Sequence, residues 1–251
     1  RYLKLVSRTL TNVLATPGRL AQSVAQASFD AWVKYYRNDE NTPNATISYY
    51  AKGALVALAL DLTLRAGGRG SLDDVLRRLW AQSGGGLIDE DDIAGALEAS
   101  GGRSFAAELA EWVHGTGELP LRPLLEAAAV EWQSTPASVA QRLGVRVAES
   151  ALTGVKVSHV LRGGAAEQAG LAAGDEILAL RGWRIRRLDD AVRLLDGDAE
   201  APLLVARDQH VLTLSLALPS ASASAAGAVA LKPATKPAAD AHARYKAWLA
   251  G

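Results

Sequence analysis

The spacing of apolar residues changes along this chain, and that change limits its fold more than any other feature. In residues 1–130 apolar side chains recur at intervals of three and four residues, which is the period of helices. In residues 139–218 they alternate with polar side chains, which is the period of strands. A chain of 251 residues is long enough for both regions to bury a core. The sequence therefore predicts an α+β chain, with an all-helical region followed by a small β-rich domain.

The helical region contains one segment, Tyr49 to Arg65, that is apolar on nearly all sides. A helix of this kind is surrounded by protein, so we expect it at the centre of its region. Ser71, with Asp74 three residues later, is typical of a helix N-terminus in which side chains and backbone cap each other. Further helices are predicted at residues 1–14, 71–81, 89–99 and 104–114.

The β-rich domain is predicted to contain five strands and one helix. The strands are expected near residues 145–147, 155–159, 175–180, 203–207 and 210–218, and the helix at Leu188 to Leu195. The boundary with the helical region is predicted between residues 131 and 139. After this domain, residues 219–241 are rich in Ala, Ser, Pro and Lys, which predicts a low-complexity linker. Residues 242–251 are predicted to form a terminal helix that docks through Tyr245, Trp248 and Leu249.

Composition argues against several classes of function. The 27 basic and 27 acidic residues leave no positive excess for nucleic acid. The absence of cysteine excludes disulfides, thiolate zinc sites and cysteine nucleophiles. The central apolar run, Ala54 to Leu60, is far shorter than the roughly 20 residues of a membrane span, so none is predicted. A bacterial periplasm or cell envelope and a cytoplasm remain equally compatible with this composition, and no signal-like segment follows Arg1.

Candidate metal ligands are scattered. The four histidines are dispersed, and none lies in H-E-x-x-H, the motif that places two imidazoles on one helix face. Glu111 and His114 have a spacing used in carboxylate-bridged metal bundles, but that site needs a second such pair, so a solvated helix end is favoured. The acidic run Asp89 to Asp92 is attributed to the following helix, because acids are favourable near a helix N-terminus. We expect neither a metal nor another cofactor in this chain alone.

Tyr50 stands near the start of the apolar helix, after an irregular loop. Its position favours a core or capping tyrosine. A tyrosine here can also project its hydroxyl into a cleft. Gly53, one turn later, would let another backbone or a ligand approach closely.

The residues around Tyr50 resemble those of a peptidase family. Tyr50-Ala51-Lys52-Gly53 is similar to the Y-x-K-G helix start of gluzincin aminopeptidases. The motifs S-F-D-A-W, S-Y-Y-A-K-G, S-L-D-D-V and H-G-T-G-E-L-P follow in the order found in the C-terminal part of the glycyl aminopeptidase catalytic domain. The resemblance covers residues 1–130 and implies a zinc enzyme in which Tyr50 stabilises the oxyanion opposite the zinc ion. The family's H-E-x-x-H helix and downstream glutamate would precede Arg1. The chain is therefore expected to be the C-terminal portion of a larger enzyme and inactive alone.

A second resemblance, over residues 139–218, is to PDZ domains. Arg142-Leu143-Gly144-Val145 is similar to the loop that binds a terminal carboxylate, and residues 165–178 are similar to the short helix, turn and strand of bacterial PDZ domains. The resemblance implies strand addition, in which an extended peptide or protein C-terminus pairs with the strand that begins at Val145. The implied peptide-binding residues are Leu143, Gly144, Val145, Val147, Leu188, Ala191, Val192 and Leu195.

The two resemblances together predict the C-terminal portion of a zinc-dependent aminopeptidase with a PDZ domain. Its expected partners are a peptide or protein C-terminus in the PDZ groove and the missing N-terminal part of the catalytic domain. The alternative is a non-catalytic PDZ peptide-binding or scaffold protein whose helical region is degenerate. An H-E-x-x-H motif encoded upstream of Arg1 would distinguish the two. Because the groove walls are apolar, we also expect a preference for an apolar terminal residue.

Overall fold

The computed structural model describes residues 1–152, 154–194, 200–217 and 227–249, with only the backbone described at residues 192 and 193. The mixed helix and sheet class predicted from the sequence is confirmed, with helices first and the β-rich domain after them. The helices before the β-rich domain are α1 (Tyr2–Leu14), α2 (Val24–Phe29), α3 (Thr42–Ala45), α4 (Tyr49–Ala66), α5 (Leu72–Ser83), α6 (Glu90–Gly101), α7 (Ala106–Trp112) and α8 (Leu121–Ala127). A 3-10 turn, Pro17–Leu20, and a π-helix, Ala31–Tyr35, lie between them.

Helix α4 is the centre of the helical region, as its apolar sequence predicts. Its buried side chains include Leu55, Leu58, Ala59 and Leu64, all inside the larger of two core clusters. The segment Thr42–Ala66 has a mean hydropathy of 1.3 and is long enough to cross a membrane, but 56% of it is buried inside the protein. A core helix with this degree of burial meets the same length and hydropathy criteria as a membrane helix. The prediction of no membrane span remains a prediction.

Side chains close the N-termini of the helices where the sequence places capping residues. Ser71 and Asp74 form the reciprocal capping box predicted for α5. Asp89 and Asp92 do the same for α6, so the acidic run is used as a helix cap and first turn. Ser48 accepts a hydrogen bond from the Ala51 N–H and caps α4.

The segment after the β-rich domain differs from the predicted linker. Strand β8 (Val229–Pro233) pairs antiparallel with β1 (Val130–Ser134), and both lie beside the helical region. Val229 and Leu231 are buried in the helical core, and the Ser7 and Thr11 hydroxyls of α1 accept hydrogen bonds from the Leu231 and Val229 N–H groups. Two alternating apolar residues thus stabilise a strand here because β1 pairs with it and α1 packs against it. Part of the predicted linker, residues 219–226, lies outside the described residues.

The chain ends on the helical region through α11 (Ala239–Leu249). Trp248 is buried and packs edge-on against the Tyr2 ring at 5.6 Å, while Tyr245 is partly buried against the same core. Leu249 is 40% exposed, so two of the three predicted docking residues lie against the core. The β-rich domain is therefore inserted between two strands, β1 and β8, that pair with each other.

The β-rich domain is an antiparallel sheet in the order β2-β3-β4-β6-β7, with β5 paired to β4. Its strands are β2 (Val145–Ser150), β3 (Gly154–Val160), β4 (Glu176–Leu180), β5 (Trp183–Arg184), β6 (Glu200–Arg207) and β7 (His210–Ala217). Short helices α9 (Val139–Leu143) and α10 (Ala165–Gln168) and a 3-10 helix, Leu188–Leu194, close its core. The sequence predicted every strand except the two-residue β5, and it predicted the last helix without its 3-10 character.

Candidate functional site

Five aromatic side chains form a connected patch at the start of α4, which we call the aromatic patch: Trp32, Tyr35, Tyr36, Tyr49 and Tyr50. Their rings contact one another in the order Trp32, Tyr36, Tyr35, Tyr49 and Tyr50, with successive centroid distances of 5.1, 5.3, 5.6 and 4.2 Å. The π-helix supplies the first two rings, and the residue after it supplies the third. Ser48, the cap of α4, also accepts a hydrogen bond from the Tyr35 hydroxyl at 3.2 Å. The patch is therefore held at the N-terminus of the central helix by ring contacts and by the cap.

Tyr49 and Tyr50 lie in different environments. Tyr49 is partly buried against the helical core, and its hydroxyl lies 3.3 Å from the hydroxyl of Tyr36. Tyr50 is 64% exposed, so its phenol lies at the protein surface. The neighbouring Tyr49 hydroxyl, and after it that of Tyr36, lowers the pKa of Tyr50. Hydrogen bonding with Tyr36, and after it with Tyr50, raises the pKa of Tyr49. A phenol with a lowered pKa is a better hydrogen-bond donor, which is the property an oxyanion requires.

Lys52 and Gly53, the last two residues of the Y-x-K-G motif, lie beside other parts of the helical region. Lys52 is 3% exposed, and its ammonium group donates a hydrogen bond of 2.8 Å to the Arg19 carbonyl in the first 3-10 turn. Burial lowers the pKa of Lys52, and nearby Glu118 partly offsets that effect. Among the described residues, a side chain at Gly53 would meet only the Val24 methyl within 4 Å, at 3.8 Å, so no close approach to Gly53 is seen there.

The described residues contain no cluster of three or more His, Cys, Asp or Glu side chains that could hold a metal. His114 contacts the Glu90 carboxylate at 2.6 Å at the surface, consistent with the solvated helix end favoured for it. Asp61 pairs with Arg65 at 2.9 Å and accepts the Leu72 N–H at 2.8 Å. Where the structure is described, the side chains thus do not fit a zinc site.

Most of the described apolar side chains of the predicted peptide groove belong to the core of the domain. Leu143, Val145, Leu188 and Ala191 are 2–4% exposed, and Val147 is partly buried. Val192 has no described side chain and Leu195 lies outside the described residues. The loop predicted to bind a terminal carboxylate, residues 142–145, needs glycine at position 144. Gly144 has a φ of +74°, and a Cβ there would lie 2.8 Å from the Gly164 Cα.

Strand β2 lies at the edge of the sheet, and β3 is the only described strand that pairs with it. An edge strand of this kind is what strand addition requires. At its far end the Glu149 carboxylate accepts the Leu188 N–H at 2.8 Å, which fastens the 3-10 helix to β2. A solvent-open cavity of about 1010 Å³ adjoins Glu149, between residues 150–152 and residues 184–187. Among the described residues, none of the predicted groove residues lines this cavity.

An ion pair inside the domain escaped the sequence analysis. Asp175 is fully buried and receives two hydrogen bonds of 2.7 Å from the Arg207 guanidinium and one of 2.9 Å from the Ala172 N–H. Burial alone would raise the pKa of Asp175, but Arg207 and the backbone donor outweigh it and lower the pKa. The pair joins the turn before β4 to the end of β6.

Two family models match different parts of the chain. Residues 1–56, which include Tyr50, match the family model for the M61 glycyl aminopeptidase, and residues 133–206 match the model for the PDZ domain. This chain joins an M61 aminopeptidase portion to a PDZ domain. The M61 match ends inside α4, so helices α5 to α8 lie beyond the matched residues. A search of curated proteins gives no match.

Solved structures extend this result. An aminopeptidase N family protein from Idiomarina loihiensis is 30% identical with a TM-score of 0.81, over 99% of this chain and 44% of that chain. The chain thus spans less than half the length of that protein. The HtrA3 PDZ domain bound to a phage-derived ligand is 19% identical with a TM-score of 0.27, over 35% of this chain and 86% of that chain. The HtrA-type protease AlgW with a decapeptide is 21% identical with a TM-score of 0.28, over 36% of this chain and 29% of that chain.

Proposed function

We propose that this chain is the C-terminal portion of a zinc-dependent aminopeptidase and that Tyr50 is its contribution to catalysis. The observation that carries the proposal is the exposed Tyr50 phenol, which lies within the M61 match and at the end of a hydrogen-bonded aromatic patch. An exposed aromatic surface of this kind indicates that another part of a protein covers it. In the full-length enzyme that part would carry the zinc ligands, because the described residues here do not fit a zinc site.

Tyr50 acts in this proposal by hydrogen bonding. Peptide-bond hydrolysis passes through a tetrahedral intermediate whose former carbonyl oxygen becomes negatively charged. The Tyr50 hydroxyl donates a hydrogen bond to that oxygen and stabilises the intermediate more than the uncharged substrate. The adjacent Tyr49 hydroxyl lowers the pKa of Tyr50 and so strengthens it as a donor. Zinc, when bound by the upstream residues, would supply polarisation of the carbonyl and activation of water.

The test is expression of the chain together with its upstream residues, followed by metal analysis and turnover of an aminoacyl anilide. We expect stoichiometric zinc and turnover in the longer protein, and neither in the 251-residue chain. Turnover by the 251-residue chain would contradict the proposal. A longer protein that has no H-E-x-x-H motif and no turnover would favour the alternative, a non-catalytic PDZ scaffold.

A second function is favoured by the edge of β2, which pairs only with β3 among the described strands and is compatible with peptide binding by the PDZ domain. A peptide C-terminus would pair with Val145 to Ala148, and its carboxylate would accept hydrogen bonds from backbone N–H groups around Leu143 to Val145. Titration of the 251-residue chain with C-terminal peptides tests this, with an apolar last residue expected to bind most tightly. Selection for a charged last residue would contradict the preference, and equal weak binding of all peptides would contradict the function.

A further inference from the structure

One side chain joins the PDZ domain to the helical region through two hydrogen bonds. Asn44 of α3 is 7% exposed, and its amide nitrogen donates to the Val160 carbonyl at 2.8 Å. Its amide oxygen accepts the Arg162 N–H, also at 2.8 Å. Asn44 thus bonds the backbone on both sides of Leu161 at the end of β3. Neither group would be satisfied by apolar packing, so loss of Asn44 leaves two polar backbone groups without this partner.

Asn44 belongs to the loop of residues 36–46, which we call the bridging loop. The middle of this loop is a compact turn, in which the Asp39 carboxylate accepts hydrogen bonds from the Asn41 N–H at 3.0 Å and the Thr42 hydroxyl at 2.9 Å. The Asp39 N–H in turn donates to the Thr42 hydroxyl at 2.7 Å. Because these hydrogen bonds make the turn rigid, a displacement at one end of the loop would also move the other end.

The other end of the bridging loop is Tyr36, a member of the aromatic patch. The Tyr36 hydroxyl lies 3.3 Å from that of Tyr49, and the Tyr49 ring lies against the Tyr50 ring at 4.2 Å. The start of α4 itself is held separately, by the buried Ile47 and by the Ser48 cap. A shift of the loop would consequently reach Tyr50 through Tyr36 and Tyr49, and it would leave helix α4 in place.

We propose that Asn44 is a positioning residue for Tyr50, which it orients by anchoring the bridging loop to the PDZ domain. In this arrangement the PDZ domain braces the catalytic tyrosine whether or not its groove holds a peptide. The inference rests on the proposed role of Tyr50.

The test compares Asn44→Ala with Thr16→Ala in the full-length enzyme. The Thr16 hydroxyl also joins the two regions, because it accepts a hydrogen bond of 3.2 Å from the Arg146 guanidinium of the PDZ domain. Thr16 lies outside the bridging loop. We expect Asn44→Ala to lower kcat about 5-fold with KM changed less than 2-fold, since misplacing a catalytic group mainly affects the transition state. Asn44→Asp, which keeps the acceptor for Arg162, should fall between wild type and Asn44→Ala. Thr16→Ala should leave kcat unchanged.

A second readout needs no activity. In the 251-residue chain, Asn44→Ala should accelerate amide hydrogen exchange over residues 36–42, whereas Thr16→Ala should not. Unchanged kcat and unchanged exchange in Asn44→Ala would overturn the inference, as would equal losses of kcat in both variants. The proposed function fails separately if Tyr50→Phe leaves kcat intact, because Asn44 then has no catalytic tyrosine to position.

Discussion

The aromatic patch and the PDZ groove use their apolar side chains in opposite ways. Trp32 and Tyr50 of the patch are 80% and 64% exposed, whereas Val145 and Leu188 of the groove are 3% and 4% exposed. The side chains of the patch are therefore free to contact another molecule. The metal ligands that the proposed hydrolysis needs are not found among the described residues. The described side chains of the predicted groove mostly stabilise the core of the domain. A ligand there would gain mainly from the edge of β2, which pairs only with β3 among the described strands.

The largest expected effect is the loss of turnover when Tyr50 of the aromatic patch is changed. In the full-length enzyme, Tyr50→Phe should lower kcat by about 10²–10³-fold with little change in KM, because the lost hydrogen bond forms only with the charged oxygen. Tyr49→Phe is the matched control, because Tyr49 is partly buried. It should have a smaller effect, through the pKa of Tyr50. A larger loss in Tyr49→Phe than in Tyr50→Phe would show that the register of the motif is wrong.

The next largest effect is expected from breaking the ion pair between Arg207 and Asp175 inside the PDZ domain. Arg207→Leu should lower the free energy of unfolding by about 3 kcal/mol, because it leaves the buried Asp175 carboxylate without its partner. Since the folded-state pKa of Asp175 lies below its ordinary 3.8, this stabilisation is present above that pH and is lost as pH falls through the folded-state pKa. Urea unfolding of wild type and variant at pH 7 and near pH 2 measures both. A difference that does not shrink in acid would contradict the assignment.

Within the groove, burial predicts which residues serve the fold and which serve a ligand. Leu188→Ala should cost about 2–3 kcal/mol of stability, the lower part of the range for a buried leucine, because it lies at the edge of the core. Val147→Ala should cost less than about 1.5 kcal/mol and should weaken binding of an apolar-ended peptide. Thermal unfolding and peptide titration separate the two effects. A Val147 variant that binds peptide normally would remove this residue from the predicted groove.

The sequence predicted the local elements well because period and caps are local signals. The central helix α4, the capping boxes of α5 and α6 and five of the PDZ strands all follow from residues within one or two turns of each other. Strand β8 was missed because its stability comes from β1 and α1, which lie about 100 and more than 200 residues earlier in the chain. The Asn44 bridge was missed for the same reason, since nothing near Asn44 in the sequence marks Val160 as its partner.

The smallest expected effect tests whether the exposed surface beside the patch is an interface. Phe29 is the last residue of α2 and is 90% exposed, so Phe29→Ser should change the stability of the 251-residue chain by no more than about 0.5 kcal/mol. Leu87, which is fully exposed elsewhere on the helical region, supplies a matched Leu87→Ser control. If the upstream part of the enzyme covers Phe29, the same change should destabilise the full-length protein measurably, because apolar area buried between the parts is lost. Leu87→Ser should be neutral in both proteins. Equal and negligible shifts in melting temperature for both variants in the full-length protein would mean that Phe29 stays in water, and that the covered surface is limited to the five aromatic rings.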